Sequence, residues 1–140
     1  MYNKKYEERL TIWREFRDSL ENSDSPFLDV LEFYSHIPVN RFTVDPWGQS
    51  TWPGPWQLLE ENLYCEFSIV LGMCFSLQLT ERFKGSNFEI HICTNNQKSE
   101  TLYLLFVDDV CVNYKGKVVL RKDLPDALYS QTQYTMPELQ

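Results

Sequence analysis

Histidine is nearly missing from this sequence: His36 and His91 are the only two in 140 residues. Any imidazole-driven chemistry must draw on one of them. Four cysteines, Cys65, Cys74, Cys93 and Cys111, lie far apart and form no CxxC pair. Zinc cages need ligands clustered on loops, so no metal is expected. Five glycines are too few for glycine-rich cofactor loops, and no P-loop, dinucleotide or GxSxG pattern occurs, so no cofactor is expected. No basic N-terminal stretch precedes an apolar block, as a signal peptide requires. The most apolar run, FSIVLGMCFSLQL, is short for a bilayer and contains Ser and Gln. The thiols are therefore expected to be reduced and buried, in a cytoplasmic chain that does not engage a membrane.

Basic charge is also scarce. The net charge is -7, and residues 21–66 hold Arg41 against eight acids, among them Glu60, Glu61 and Glu66. Without a basic stripe there is no footprint for a phosphate backbone, which argues against nucleic acid as a partner. What the sequence has instead is hydrophobic content of 43% and aromatic content of 15%, enough for a packed core.

Tyr6, Leu10, Trp13, Phe16 and Leu20 recur at helical spacing and predict a first amphipathic helix. Ser25 followed by Pro26 predicts the cap and first turn of a second, running to Ile37. Residues 38–56, with four prolines, two glycines and three tryptophans, suit neither a helix nor a central strand. They predict an ordered loop pinned by Trp47, Trp52 and Trp56, with an aromatic binding platform as the alternative. PWQLLEEN predicts a short helix ended by Asn62. Asn62 then caps a long apolar helix from about Leu63 to Arg82. Beyond Gly85 the pattern turns to strands: FEIHICT alternates, with Glu89, His91 and Cys93 away from the core. TLYLLFV and VCVNY flank a hairpin at Asp108-Asp109, and KVVLR follows Lys115-Gly116. A helical turn around DLPDALY and a polar tail close the chain.

The expected fold class is α+β: N-terminal helices and a central buried helix packed on a 3–4-stranded antiparallel β-meander. A single domain is expected over residues 1–130, with a helical and Trp/Pro-rich part at 1–54, the central helix and sheet at 55–130, and a polar tail at 131–140.

Cys65, early in the long helix, raises the question of a nucleophile. The layout of residues 55–120 resembles the transglutaminase-like and papain-like core, where a helix-start cysteine is activated by a histidine and an Asp or Asn from following strands. That resemblance implies Cys65 as nucleophile and finds Asn113 where an orienting group would sit; His91, one strand earlier and on the face away from the core, is the candidate substitute base. The strand that should carry the histidine reads TLYLLFV and has none. Glu60, Glu61 and Glu66 are expected to disfavour a thiolate. Packing is thus the expected role of Cys65.

A second resemblance covers most of residues 11–114 and is carried by TIWREFRDSLENSDSPFLDVLEFY, WPGPWQLLEENLYC and YLLFVDDVCVNY. These runs resemble small proteins of large contractile-tailed marine phages of the kind infecting cyanobacteria. It implies a phage protein, made alongside virion structural proteins, located in host cytoplasm and virion. The expected function is a non-catalytic structural or assembly component. Its contacts, with other phage proteins or itself, run through the acidic face of residues 21–66 with Glu60 and Glu61, the loop of Trp47, Trp52 and Trp56, or the polar tail after Ser130. The alternatives are a cysteine-dependent amidase, peptidase or transferase using Cys65, and a host-directed binding module.

Overall fold

The structure, a computed structural model, describes all residues except Arg41 and Gln140. It has the expected α+β class, and the described residues form four α-helices and a five-stranded antiparallel sheet. The chain divides into two compact units, residues 1–84 and 85–140.

The first unit holds α1 (Tyr6–Leu20), α2 (Pro26–Ser35), a 3₁₀ turn at Gln49–Thr51, α3 (Pro55–Glu61) and α4 (Glu66–Gln78). Pro26 and Pro55 each sit in a helical first turn, where no N–H is missed. Asn62 ends α3 in the left-handed region at φ 55°, a conformation asparagine tolerates, and its N–H donates to Leu58 O. It does not also cap α4: Leu63 and Tyr64 intervene and Cys65 takes that place. The helix is therefore shorter than the apolar pattern suggested. Arg9, buried in α1, donates to the carbonyls of Leu59 and Glu60 at 3.0–3.2 Å, satisfying the end of α3.

Helix α4 is apolar nearly all round, and Phe67 through Leu77 are buried except Ile69. One hydroxyl ties its neighbours to it. Ser76 Oγ donates to Gly72 O at 2.8 Å, accepts Trp13 Nε1–H from α1 at 2.9 Å, and lies 3.0 Å from Tyr34 Oη of α2. Gly72 makes room for that phenol, since a Cβ there would lie 2.6 Å from Tyr34 Cε1.

The second unit contains β1 (Phe88–Asn95), β2 (Glu100–Val107), β3 (Val110–Tyr114), β4 (Lys117–Leu120) and β5 (Leu128–Thr135). Their order is β4-β3-β2-β1-β5, antiparallel throughout. The expected hairpin at Asp108-Asp109 pairs Val107 with Val110. Lys115 and Gly116 both take positive φ, 49° and 78°, as a twist-matched two-residue turn requires.

The expected meander of three or four strands gains β5, formed from residues read as a helical turn and as the tail. A strand at the open edge of β1 satisfies a row of backbone groups while leaving its own side chains in water, so hydropathy is silent about it. The helical turn in this region is a 3₁₀ turn at Arg121–Asp123. Residues 121–127 run from β4 at one edge of the sheet to β5 at the other. Leu124 and Leu128 pack there on Cys93, Leu104, Phe106 and Cys111. The Glu89–His91–Cys93 face, expected to point away from any core, therefore carries a core of its own.

All four tryptophans lie in the first unit, so their fluorescence follows its unfolding alone. In urea, Gly72→Ala should lower its stability by about 1–3 kcal/mol through overpacking against Tyr34. Ser76→Ala should cost a similar ~1–3 kcal/mol by removing the hydroxyl that Trp13 Nε1–H and Tyr34 Oη both meet. Unchanged midpoints in both variants would rule out Ser76 as the anchor of α1 and α2.

Candidate functional site

Cys65 is the N-cap of α4, 5% exposed. Its backbone N–H donates to Ser68 Oγ at 2.8 Å, and its sulfur accepts from the Ser68 backbone, a reciprocal capping box with sulfur in place of the usual oxygen. Burial pushes this thiol up. Hydrogen bonds from the side chains of Thr43 and Ser68, and from their backbones, outweigh it and bring the thiol from 9.0 down to about 6. The expectation that Glu60, Glu61 and Glu66 disfavour the thiolate fails because all three are exposed to water, where their charge is screened. The sulfur is occupied as an acceptor for the first turn of α4, and the groups that hold it, Thr43 and Ser68, are not bases. Burial pushes the other three thiols up: Cys111 to about 11, and Cys74 and Cys93 above their ordinary value.

Asn113 has a structural task. Its Oδ1 accepts Leu105 N–H at 2.8 Å and its Nδ2 donates to Tyr103 O at 2.9 Å. The side chain thus continues the β2–β3 contact where the backbone ladder, formed by Phe106–Cys111 and Val107–Val110, stops. It does not orient an imidazole.

The three tryptophans have separate fates. Trp52 anchors the loop as expected: its indole donates to Asp45 O at 2.8 Å and its ring lies 4.9 Å from Phe67. Trp56 belongs to α3 and packs edge-on against Trp13 at 5.3 Å, half exposed. Trp47 does not pin the loop; it stands 56% exposed, and Phe42 of the same loop is 70% exposed. Glu60 and Glu61 are exposed on α3, Glu61 accepting from Gln57 at 2.9 Å.

His91 lies in the second unit and is 4% exposed. Its Nε2 is 2.9 Å from Glu89 Oε1 and its Nδ1 is 2.6 Å from Ser130 Oγ on β5. Glu89 Oε2 also accepts from Asn87 Nδ2 at 2.6 Å and Arg121 Nη2 at 3.3 Å. Burial pushes the Glu89 carboxyl up, but the His91 hydrogen bond and the Arg121 charge prevail and hold it below its usual range. An ionised carboxylate can only accept, so Nε2–H donates to Glu89; in the neutral ring the lone pair is then the one at Nδ1, which faces Ser130. The Arg121 guanidinium lies over the Phe106 ring at 4.2 Å, and the His91 ring meets it tilted by 47° with centroids 4.4 Å apart.

The alternation of Glu89 and His91 already put them on one face. Ser130 left no signal, because it sits in a polar stretch and arrives through a β-bulge. Between Ile92–Thr132 and Cys93–Ser130 the register slips by one, leaving Gln131 extra and turning Ser130 toward the histidine face. A groove of about 350 Å³ opens there, lined by His91, Cys93, Arg121, Lys122, Asp126 and Ser130 among others.

Comparison with protein-family models, curated proteins and solved structures finds no match. Among the described residues, no helix is long and apolar enough to cross a membrane, and no group of His, Cys, Asp or Glu could hold a metal ion.

Cys65 titration has a definite sign. The folded value of about 6 lies below the ordinary 9.0, so its contribution to stability is complete above the unfolded value and is lost as pH falls through the folded one. Thiolate ultraviolet absorbance should rise with a midpoint near 6, and that step should be gone in Cys65→Ala. A first thiolate step only above pH 8 would refute the capping role of the sulfur.

Proposed function

We propose that this chain acts through protein–protein contacts as a structural or assembly component of a phage virion, with the loop between α2 and α3 as its contact surface. The carrying observation is an ordered loop that presents aromatics to solvent. Asp45 organises it, accepting the Trp47 backbone N–H at 3.0 Å through its carboxylate and the Gly48 N–H at 3.1 Å through its carbonyl. Thr51 closes the turn on Gly48 O. Trp47 is thereby held out at little further entropic cost on binding, as hot-spot anchors are, and exposed Phe42 adds apolar surface from the same loop.

Neighbouring surface adds to the patch. Asn40 N–H donates to Tyr64 O at 2.7 Å, bringing exposed Val39 and Leu63 to one region. Acidic Glu60 and Glu61 lie close in sequence, in the most negative stretch of the chain. A complementary partner carries an apolar pocket with a basic rim. The phage setting rests on the resemblance of the helical and tryptophan-rich runs.

Cells infected with a phage encoding this chain provide the test. The chain should co-sediment with virions or with assembly intermediates. The double variant Phe42→Ala with Trp47→Ala should lose at least about tenfold in that association, as hot-spot truncation does, with the tryptophan-reported unfolding midpoint of the first unit unchanged. Its absence from both particle fractions, or recovery only with a host protein, would overturn the virion reading.

A further inference from the structure

The second unit carries an arrangement that the loop reading leaves unused. Ser130, His91 and Glu89 form a continuous hydrogen-bonded line, Oγ to Nδ1 at 2.6 Å and Nε2 to Oε1 at 2.9 Å. Ser130 is exposed at a groove, His91 is buried behind it, and Glu89 is tied down by Asn87 and Arg121. We propose that Ser130 is the nucleophile of an acyl-transfer site, with His91 as its general base and Glu89 as the positioning residue, acting on small carboxylic esters.

Each part has the chemistry its role needs. A serine hydroxyl attacks poorly alone and requires a neighbouring base within hydrogen-bond reach. With Glu89 accepting Nε2–H, the free lone pair of the ring lies at Nδ1, the nitrogen that faces Oγ. Ring nitrogens are used in the opposite sense in the chymotrypsin-type triad, but the proton path is the same. Burial keeps the Cys93 thiol protonated, so at 3.7 Å from Oγ its S–H can donate to the hydroxyl oxygen and help orient it.

In the reaction Ser130 Oγ bonds to the ester carbonyl carbon as its proton passes to His91 Nδ1. The carbon–oxygen bond to the leaving alcohol then breaks, and that alkoxide takes the proton back from Nδ1. Water attacks the acyl-serine by the same proton route, releasing the acid and restoring the hydroxyl. Oxygens and protons balance with water as the second reactant. The groove sets the substrate class: at about 350 Å³ it suits a small molecule. Arg121 and Lys122 on its wall favour an acyl group bearing a carboxylate, and Asp126 disfavours one with several.

The test uses the full chain with a fluorophosphonate probe and two chromogenic esters, 4-nitrophenyl acetate and 4-nitrophenyl hydrogen succinate. Mass spectrometry should map a single phosphonyl adduct to Ser130. Ester hydrolysis should fall by about 10²-fold in Ser130→Ala and in His91→Gln, the range general-base removal gives. Glu89→Gln should lower kcat at least about tenfold with KM little changed, since it alters proton placement and not ester contact. The succinate ester should be preferred, and that preference should weaken in Lys122→Ala. Circular dichroism of each variant reports the sheet. Should His91→Gln unfold it, the Ser130 adduct in the unaltered chain still decides, because the exposed Ser130 can be replaced without opening a core. No adduct at Ser130, or hydrolysis unchanged in Ser130→Ala, would overturn the proposal and leave the line as a clamp between β1 and β5. Neither outcome bears on the loop, which lies in the other unit.

Discussion

The Ser76 hydroxyl has one proton and two lone pairs, and the three contacts around it match that capacity: the proton goes to Gly72 O, and Trp13 Nε1–H and the Tyr34 hydroxyl supply donors. A buried polar group without a partner costs about 1–3 kcal/mol. The two large aromatic side chains can enter the interior of the first unit only where this oxygen receives them. Their helices follow: α1 is fixed at Trp13 and α2 at Tyr34. Gly72 belongs to the same constraint, because the phenol reaches Ser76 across a place where any Cβ would stand. A helix-interior glycine costs roughly 0.5–1 kcal/mol against alanine, a loss offset by the hydrogen-bonded packing it admits.

The need to satisfy buried or terminal polar groups shapes the other unusual placements in this unit. Arg9 turns inward from a charged helix because the end of α3 offers carbonyls without helical partners. Cys65 stands where serine, threonine, aspartate or asparagine is the ordinary choice. Sulfur is a weak acceptor when protonated and a stronger one as thiolate. Hydrogen bonds from Thr43 and Ser68 therefore pull the thiol toward ionisation. In the second unit Asn113 supplies an amide where the β2–β3 ladder lapses. Glu89 collects three donors from Asn87, His91 and Arg121.

Hydropathy patterning reads burial, and it served where burial decides. The four helices, the hairpins at 108–109 and 115–116, and the α+β class were all legible from apolar spacing and turn residues. Features decided by hydrogen bonding were not. The start of α4 was misplaced because Cys65 does not look like a cap. Strand β5 was read as a tail because an edge strand with solvated side chains has no apolar face to betray it. The same blindness hid Ser130, whose approach to His91 depends on a one-residue register slip that no local pattern encodes. Indoles are costly to expose, which predicts anchoring for Trp47, yet the loop turns on Asp45 and Trp52 and leaves Trp47 outward.

Two residues here carry marks commonly taken for catalysis, and the marks differ in kind. Cys65 has a displaced titration and is held by Thr43 and Ser68, neither of them a base; its shift arises from the donors of a helix cap, which are present for folding whether or not any substrate exists. Perturbed titration clusters at active sites, but structural hydrogen bonding produces it equally well. Ser130 has an ordinary hydroxyl with a base in contact and an exposed approach. A nucleophile must lose its proton in the transition state and must be reached by the carbon it attacks. Of the two, only the serine meets both conditions by geometry, so the position of a proton acceptor is the better guide to chemistry in this chain than the acidity of the group itself.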